Sequence, residues 1–388
     1  MFRPEQMGVY IHWPFCKSRC PYCDFNTYVR RQDFDEGLWA EAYLKALDYY
    51  ADKLPDKRVV SIFFGGGTPS LMSPDLVGRI IDRVHKRWSV EKDVEITLEA
   101  NPTSVENAKV QGFAEAGVNR LSLGVQSFTG EGLSFLGREH SVAEAMNALE
   151  LARKYFPRYS FDLIYARPEQ SLQDWEAELK DALSVGSSHM SLYQLTIAEK
   201  TPFYKRINRG EFTVPDEVAG AEFYHLTQDI MEAAGVPAYE VSNYARTAQE
   251  CRHNLIYWHM ADYIGIGAGA HGRYMLDGKK YATCDETQPK CWLERVQSQG
   301  HGGDGDTPEL LSKADQFYEA LLMGLRLYDG VSLKRSEELS GVHAQDMLDF
   351  AKIDIAVKEG WLIKDGEKIK ATREGMLRLN ALLGYIID

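Results

Sequence analysis

The sequence predicts an α/β fold: a partial (β/α)6 barrel of the TIM-like kind, joined to a smaller, mainly helical domain that resembles a winged helix. Six short runs rich in β-branched and aromatic residues alternate with helix-length amphipathic stretches. This alternation is typical of a parallel sheet with right-handed crossovers. A doubly wound open sheet has the same periodicity and remains an alternative. The predicted strands span residues 8–12, 59–64, 94–99, 120–125, 160–165 and 189–195.

Polar residues near the strand ends favour the barrel over the open sheet. Side chains at the carboxyl ends of barrel strands meet at one face, where a barrel builds its site. For any one position taken alone, a polar residue that simply begins a loop is the alternative. The four polar positions are Thr68, Glu99, Gln126 and Asp162.

The helices between these strands carry recognisable start and stop signals. Ser73 is predicted to cap the second helix, with Pro74 as its first residue. Gly117 is predicted to end the third helix, because glycine adopts the left-handed conformation that follows many helices. The five predicted crossover helices span residues 38–54, 74–88, 104–116, 142–155 and 172–185.

The chain is predicted to divide into three parts, which are residues 1–245, 246–308 and 309–388. The first is the barrel, the second is a connecting segment, and its residues 298–308 have the composition of a linker. The third part contains helices predicted over residues 310–327, 333–339 and 343–359 and a hairpin predicted over residues 361–371. Its charges are mixed and slightly acidic, which indicates a packing or partner domain rather than a DNA-binding one.

Composition narrows the function classes further. The chain has 388 residues and a formal net charge of -13, which argues against broad binding to nucleic acid. No apolar run reaches the length of a membrane span, and the first residues contain no signal-peptide core. Three scattered cysteines, Cys251, Cys284 and Cys291, suggest no disulfide framework. The sequence therefore predicts a cytoplasmic protein.

Three further cysteines lie together just after the first strand. Cys16, Cys20 and Cys23 are too few for a structural zinc site, which requires four closed positions. A [4Fe-4S] cluster held by three cysteines keeps one iron free for an outside ligand. The spacing Cys-x3-Cys-x2-Cys, with Tyr22 beside the last cysteine, resembles the signature of the radical S-adenosylmethionine (radical SAM) superfamily. A zinc-binding interaction module stays as an alternative.

The resemblance extends along nearly the whole chain. The stretches 10–16, 65–70, 99–102, 119–128, 136–140 and 161–165 resemble the family of oxygen-independent coproporphyrinogen III oxidases. This resemblance implies that the three cysteines bind a [4Fe-4S] cluster and that S-adenosylmethionine binds its open iron. One electron from the cluster would then cleave the sulfonium. The implied contacts of this S-adenosylmethionine are Tyr10, Tyr22, Gly66 and Glu99, and those of a second molecule are Gly67, Thr68, Gln126, Arg138 and Asp162.

Two departures from the oxidase pattern indicate a branch of the family that consists of heme chaperones. Asp24 and Phe25 stand where the oxidase continues to a fourth cysteine, and only fifteen residues precede Cys16, where the oxidase carries a longer segment. Residues 251–258, Cys-Arg-His-Asn-Leu-Ile-Tyr-Trp, match the His-Asn-x-x-Tyr-Trp motif of the chaperones. The resemblance implies that His253 ligates heme iron, with Cys251 and Tyr257 as other candidate ligands.

The sequence therefore predicts a heme chaperone that binds heme, a [4Fe-4S] cluster and S-adenosylmethionine and delivers heme to acceptor proteins such as respiratory enzymes. Oxidative decarboxylation of coproporphyrinogen III is the alternative function. A homodimer and peripheral contact with a membrane surface both stay open. The glycines of residues 262–271 predict a strand with close backbone packing rather than a nucleotide loop, and no role is assigned to His271.

Overall fold

A computed structural model describes residues 2–29, 35–303 and 308–387 of the chain. Strands are numbered in chain order, and most of them belong to one large sheet. They are β1 Gln6–Trp13, β2 Phe15–Cys16, β3 Tyr28–Val29, β4 Arg58–Gly66, β5 Ser89–Ala100, β6 Arg120–Gln126, β7 Arg158–Tyr165, β8 His189–Gln194, β9 Asn243–Ala245, β10 Asp262–Ile266, β11 His271–Leu276, β12 Lys279–Cys284, β13 Glu309–Leu310, β14 Val331–Ser332, β15 Leu362–Asp365 and β16 Lys368–Ala371.

The large sheet contains the six predicted strands as a parallel block. Its order is β13-β12-β11-β10-β1-β4-β5-β6-β7-β8-β9, and β1 with β4 to β8 run parallel to one another. Across the described ranges the sheet does not close, since β13 and β9 are its two edges. Strand β5 begins before its predicted start because Ser89 and Val90 pair with β4 ahead of a register shift.

The helices alternate with the strands as predicted. They are α1 Glu36–Lys53, α2 Pro74–Arg87, α3 Asn107–Glu115, α4 Gly130–Phe135, α5 Val142–Tyr155, α6 Leu172–Ser184, α7 Pro202–Ile207, α8 Glu217–Ala233, α9 Arg252–Trp258, α10 Pro289–Gln299, α11 Lys313–Gly324, α12 Leu333–Ser340, α13 Phe350–Lys358, α14 Arg373–Met376 and α15 Leu379–Ile386. The Ser73 side chain accepts the Leu76 N–H and so caps α2, which begins at Pro74.

One hydrophobic core lies between the parallel strands and their crossover helices. Because side chains alternate along a strand, Val9, Ile11 and Trp13 point to this face and are fully buried. The apolar sides of α1, α2, α5 and α6 join the same core. The crossover helices thus cover a single face of the sheet, as in a barrel and unlike a doubly wound sheet.

Helix α9 occupies the other face of the sheet. Its Ile256 and His253 side chains lie against Gly8 of β1, where an added Cβ would meet them at 2.8 and 3.1 Å. Strand β10 follows at once and pairs in parallel with β1, and β11 to β13 then extend the sheet antiparallel. The segment predicted to connect two domains therefore adds strands to the barrel sheet. Residues 304–307 of the predicted linker lie outside the described residues.

The C-terminal part has a second core of its own, formed by α11 to α15 and the small sheet β14-β16-β15. Phe317, Ile353 and Ile386 lie at its centre with no exposed surface. The helix predicted over residues 343–359 is divided, since Asp349 caps a new helix by accepting the Lys352 N–H. None of the helices in the described ranges has the length and hydropathy needed to cross a membrane.

Candidate cofactor site

A cavity of about 400 Å³ opens at the carboxyl ends of the parallel strands. Its volume is in the range of small-molecule sites, roughly 300–1,000 Å³. The structure brings nearly all of the predicted site residues to its wall and leaves Tyr10 and His253 outside the lining. The predicted residues that line it are Cys16, Cys20, Tyr22, Cys23, Gly66, Gly67, Thr68, Glu99, Gln126, Arg138 and Asp162.

The cysteine loop, residues 16–25, is held in place by contacts at its two ends. Strand β2 pairs with β3, and the carbonyl of Asn26 accepts a hydrogen bond from the His12 Nε2 at 3.1 Å, if that nitrogen carries the proton. Burial raises the pKa of the Cys16 and Cys23 thiols, whereas the Arg138 guanidinium lies 3.3 Å from the Cys20 sulfur. Among the described residues, no three histidine, cysteine, aspartate or glutamate side chains are close enough together to hold a metal ion. The thiols share one wall, so their side chains would turn inward to hold a cluster.

The glycines at the end of β4, Gly66 and Gly67, let the backbone approach this wall closely. Gly66 has a φ of +110°, and an added Cβ would lie 2.7 Å from the His12 ring. A Cβ at Gly67 would meet the Phe15 carbonyl oxygen at 2.8 Å and the Cys16 sulfur at 3.0 Å. Larger residues would push the cysteine strand away, so both glycines are required by the packing as well as by any ligand.

Two partly accessible carboxyl groups line the cavity, those of Glu99 and Asp162, and the charge of Asp162 acts on Glu99. Burial, and then the nearby Asp162 charge, raise the pKa of Glu99 to about 8. Burial also raises the pKa of Asp162 to about 6, against the opposing effect of its Ser191 hydrogen bond. Glu99 accepts the Gly66 N–H at 3.2 Å. Acidic groups whose ionisation is disfavoured in this way favour a ligand that brings positive charge or several hydrogen-bond donors.

Buried polar atoms without partners indicate that this cavity is built for a ligand. Within the described chain, Oε1 of Gln126 and Nε of Arg138 are buried and make no hydrogen bond. Leaving a buried polar atom unpaired costs roughly 1–3 kcal/mol. Gln126 also has a φ of +71°, next to a register shift at the end of β6. Backbone strain of this kind in a non-glycine residue is typical of functional sites.

Tyr10 is not among the residues that line the cavity. Its hydroxyl is 3.0 Å from the His12 Nδ1, and burial together with the Glu99 charge raises its pKa. The sequence interpretation missed His12 and Tyr193, of which Tyr193 lines the cavity. Alternation along β1 and β8 would have placed both on the same face as Tyr10 and Asp162.

Replacement of Glu99 by glutamine is expected to stabilise the cofactor-free protein, because it removes a carboxylate that folding desolvates. The ordinary pKa of 4.5 rises to about 8 on folding, so wild-type stability should fall as the pH rises between these values. We expect a gain of about 3 kcal/mol at pH 8 and little gain near pH 5, measured by urea unfolding. Glu222→Gln on the exposed side of α8 is the control. A gain that is independent of pH would contradict the raised pKa.

Comparison with known proteins identifies the family. The model of the radical SAM superfamily matches residues 10–182, and that of the HemN C-terminal domain matches residues 311–378. Heme chaperone HemW of Escherichia coli (strain K12) is 34% identical, over 99% of this chain and 98% of its own. The chain belongs to the HemW branch of the radical SAM superfamily. A mitochondrial relative from Danio rerio, radical S-adenosyl methionine domain-containing protein 1, is 35% identical over 98% of this chain and 87% of its own.

A solved structure supports the same fold for this HemW-branch chain. Coproporphyrinogen III oxidase (HemN) from Escherichia coli superposes with a TM-score of 0.81 at 21% identity, over 98% of this chain and 90% of that one. The superfamily implies a [4Fe-4S] cluster and S-adenosylmethionine. When bound, this pair supplies reductive cleavage of a sulfonium bond. Along the wall of one cavity the chain offers three thiols, two carboxyl groups and two unpaired polar atoms.

The predicted heme ligand, His253, lies deep within this HemW-branch fold. Its Nδ1 is 2.7 Å from the Ser61 hydroxyl, and its Nε2 is 2.8 Å from the Tyr257 hydroxyl. The ring stacks on Phe63 with 5.1 Å between centroids, and burial lowers the pKa of His253 to about 3. The imidazole is therefore neutral, yet both of its nitrogens are engaged. Ligation of iron by His253 stays a prediction, and it requires α9 to leave this position.

Proposed function

We propose that the protein is a heme chaperone that binds heme, a [4Fe-4S] cluster and S-adenosylmethionine and passes heme to acceptor proteins. The observation that carries this proposal is full-length similarity to proteins named as heme chaperones. The matches to HemW of Escherichia coli and of Haemophilus influenzae, at 34% and 32% identity, each cover at least 97% of both chains. Similarity of this extent includes the segment with the His-Asn-x-x-Tyr-Trp motif.

In this proposal the cavity at the strand ends holds the cluster and S-adenosylmethionine. Cys16, Cys20 and Cys23 bind the cluster, and the open iron faces the cavity. S-adenosylmethionine contacts Tyr10, Tyr22, Gly66 and Glu99. Two remaining polar groups, Gln126 Oε1 and Arg138 Nε, gain the hydrogen bonds that they lack. A second S-adenosylmethionine would use Gly67, Thr68, Gln126, Arg138 and Asp162, which line the same cavity.

The residue at position 25 supports heme handling over the oxidase reaction. Phe25 stands where the oxidase pattern has a fourth cysteine, and its side chain is 64% exposed at the cavity wall. A single exposed aromatic ring is common on protein surfaces, but a ring on the wall of a cavity offers apolar contact to a ligand. A porphyrin has a flat apolar face that fits against this ring. The cysteine of the oxidase pattern would instead place a thiol at this position.

The decisive experiment is a heme titration of the cluster-loaded protein with a coproporphyrinogen III oxidase assay in parallel. We expect a saturable shift of the Soret band, transfer of the heme to an added apo-hemoprotein, and no protoporphyrinogen IX. The Soret band responds to a ligand on the iron, so it separates specific binding from adsorption. Protoporphyrinogen IX formation without saturable heme binding would contradict the proposal and establish the alternative function.

A further inference from the structure

The glycine-rich turn between β10 and β11, residues 267–270, packs against both ends of the cysteine loop. A Cβ added at Gly267 would lie 2.2 Å from the carbonyl oxygen of His12, which precedes the loop. A Cβ added at Gly269 would lie 2.5 Å from the Nδ2 of Asn26, which follows the loop. Both glycines also have a positive φ, at +127° and +83°. The turn therefore needs glycine at these positions to come so close to the segment that carries the three cysteines.

The Asn26 side chain joins the end of the cysteine loop to the edge of the large sheet. Its amide nitrogen donates to the carbonyl of Ala268 in the glycine-rich turn and to that of Thr287 between β12 and α10, each at 2.9 Å. Since both partners are carbonyl oxygens, only the nitrogen of the amide can face them, and its two N–H groups are both used. The Tyr28 hydroxyl donates to the same Thr287 carbonyl at 3.2 Å.

The main chain of Asn26 is held from the opposite side by β1. Its carbonyl oxygen lies 3.1 Å from the Nε2 of His12, whose Nδ1 is 3.0 Å from the Tyr10 hydroxyl. Burial lowers the pKa of His12, so the ring is neutral and donates from one nitrogen only. With the proton on Nε2, His12 donates to Asn26 and accepts from Tyr10. Asn26 is thus fixed through both its side chain and its main chain, three residues after Cys23.

We propose that Asn26 is a positioning residue of the cluster site, which holds the cysteine loop in the conformation that binds the cluster by anchoring it to the glycine-rich turn. This inference rests on the proposed function, because it assumes that the loop binds a cluster. Asn26 does not line the cofactor cavity, whereas Cys23 does, so Asn26 acts through the loop and not on the cofactors. Contacts that order a loop in advance reduce the entropy that is lost when its ligand binds.

The same contact should carry an effect from the cluster to the glycine-rich turn. If the anchored loop binds the cluster more tightly, the cluster must stabilise the anchor by the same factor. The Ala268 carbonyl, which accepts from Asn26, belongs to the same peptide group as the Gly269 N–H. That N–H donates to the Glu286 carbonyl at 2.9 Å. Loading of the cluster is therefore expected to slow hydrogen exchange at the Gly269 amide.

The test measures how long each protein retains its cluster. Wild type and three variants are reconstituted anaerobically, and the iron that they release to an added chelator is followed with time. Asn26→Ala removes both donors, and Asn26→Asp keeps the shape of the side chain but has no donor when it is ionised. Asn380→Ala, at an exposed position on α15, is the matched control. We expect both Asn26 variants to release iron at least fivefold faster than wild type, and the control to stay within twofold.

Hydrogen exchange at Gly269 is the second measurement, and a merely structural role of Asn26 would not change it in the same way. Each protein is compared with itself, cluster-loaded and cluster-free, so a general loss of stability affects both states. Loading should slow this exchange at least fivefold in wild type and in Asn380→Ala. In Asn26→Ala the two states should exchange at the same rate, while far-ultraviolet circular dichroism shows the wild-type fold.

The outcomes separate this inference from the function on which it rests. Wild-type protein that acquires no iron and sulfide contradicts the proposed function and the inference together. Wild-type protein that loads a cluster and retains it no longer than Asn26→Ala and Asn26→Asp do contradicts the inference alone. Retention at the wild-type level in Asn26→Asp, with fast release in Asn26→Ala, also overturns it, because shape and not the two hydrogen bonds would then hold the loop. Equal exchange at Gly269 in loaded and cluster-free wild type overturns it as well, because the loop and the turn would then be independent.

Discussion

Replacement of Cys16, Cys20 or Cys23 by serine is expected to abolish binding of the [4Fe-4S] cluster and to reduce S-adenosylmethionine binding to background. Each thiol would supply one of only three protein ligands, and a serine hydroxyl is a poor substitute for thiolate on iron. Anaerobic reconstitution followed by iron and sulfide analysis measures the loss directly. Cys291→Ser is the matched control, because this thiol is exposed on α10, outside the cysteine loop.

The same cysteine variants should fold normally. Cys16 ends the short strand β2, Cys20 and Cys23 lie in the loop after it, and all three thiols are partly accessible and outside the hydrophobic cores. We expect the free energy of unfolding of each cofactor-free variant to stay within about 0.5 kcal/mol of wild type. A variant that keeps its full iron and sulfide content would show that other side chains hold the cluster. Zinc in place of iron in the purified wild-type protein would instead support an interaction module.

The parallel strands were predictable because their signal is local. In β1, Met7, Val9 and Ile11 alternate with Gly8 and Tyr10, and a period of two in so short a run determines which side faces the core. Helix ends were predictable for the same reason, since Ser73 and Pro74 act on the next turn of chain. The cysteine spacing is also local, and it predicted the cavity wall before any long-range contact was known.

The position of α9 could not be predicted, because contacts distant in sequence determine it. The helix has seven residues and no apolar stripe long enough to specify a partner. It is held by Ser61 and Phe63, almost 200 residues earlier in the chain, through hydrogen-bonding and stacking with His253. A motif read from sequence names the residues but leaves open whether a side chain faces solvent or the sheet. The environment of His253 is therefore a finding of the structure.

The charge state of the site residues could not be predicted from the sequence, again because contacts distant in sequence determine it. Glu99 at a strand end predicts a carboxylate, but its raised pKa depends on burial and on Asp162 from another strand. The contact of the Tyr10 hydroxyl with the His12 Nδ1, at 3.0 Å, was likewise not evident from the sequence. Sequence patterns give the face of a strand reliably. The depth of a side chain within that face depends on the relative stagger of neighbouring strands.

Removal of the Glu95 carboxylate is expected to lower the free energy of unfolding by about 3–5 kcal/mol. Glu95 is 3% exposed, and its Oε2 contacts the Arg158 guanidinium at 2.6 Å. Its Oε1 accepts the backbone N–H of His253 at 3.1 Å. Glu95→Ala would remove one of the carboxylate charges near Arg120, which is 2% exposed, and would leave Asp162 as the other. A buried guanidinium that loses its counter-charge destabilises the fold far more than a lost surface pair does.

A neighbouring ion pair on the same strand provides the control. Asp93 contacts Arg252 at 2.8 Å, but its side chain is 76% exposed, so Asp93→Ala should change the free energy of unfolding by less than about 1 kcal/mol. Urea unfolding at neutral pH measures both variants. Comparable losses from the two substitutions would contradict a buried charge network beneath α9.

The pH dependence of the Glu95 effect follows from the direction of its pKa shift. Burial opposes ionisation, yet Arg120, Arg158 and two backbone donors hold the pKa of Glu95 below its ordinary 4.5. The stabilisation is therefore present above pH 4.5 and is lost as the pH falls through the folded-state pKa. Because Glu95 also holds the first turn of α9, Glu95→Ala should increase amide hydrogen exchange in α9.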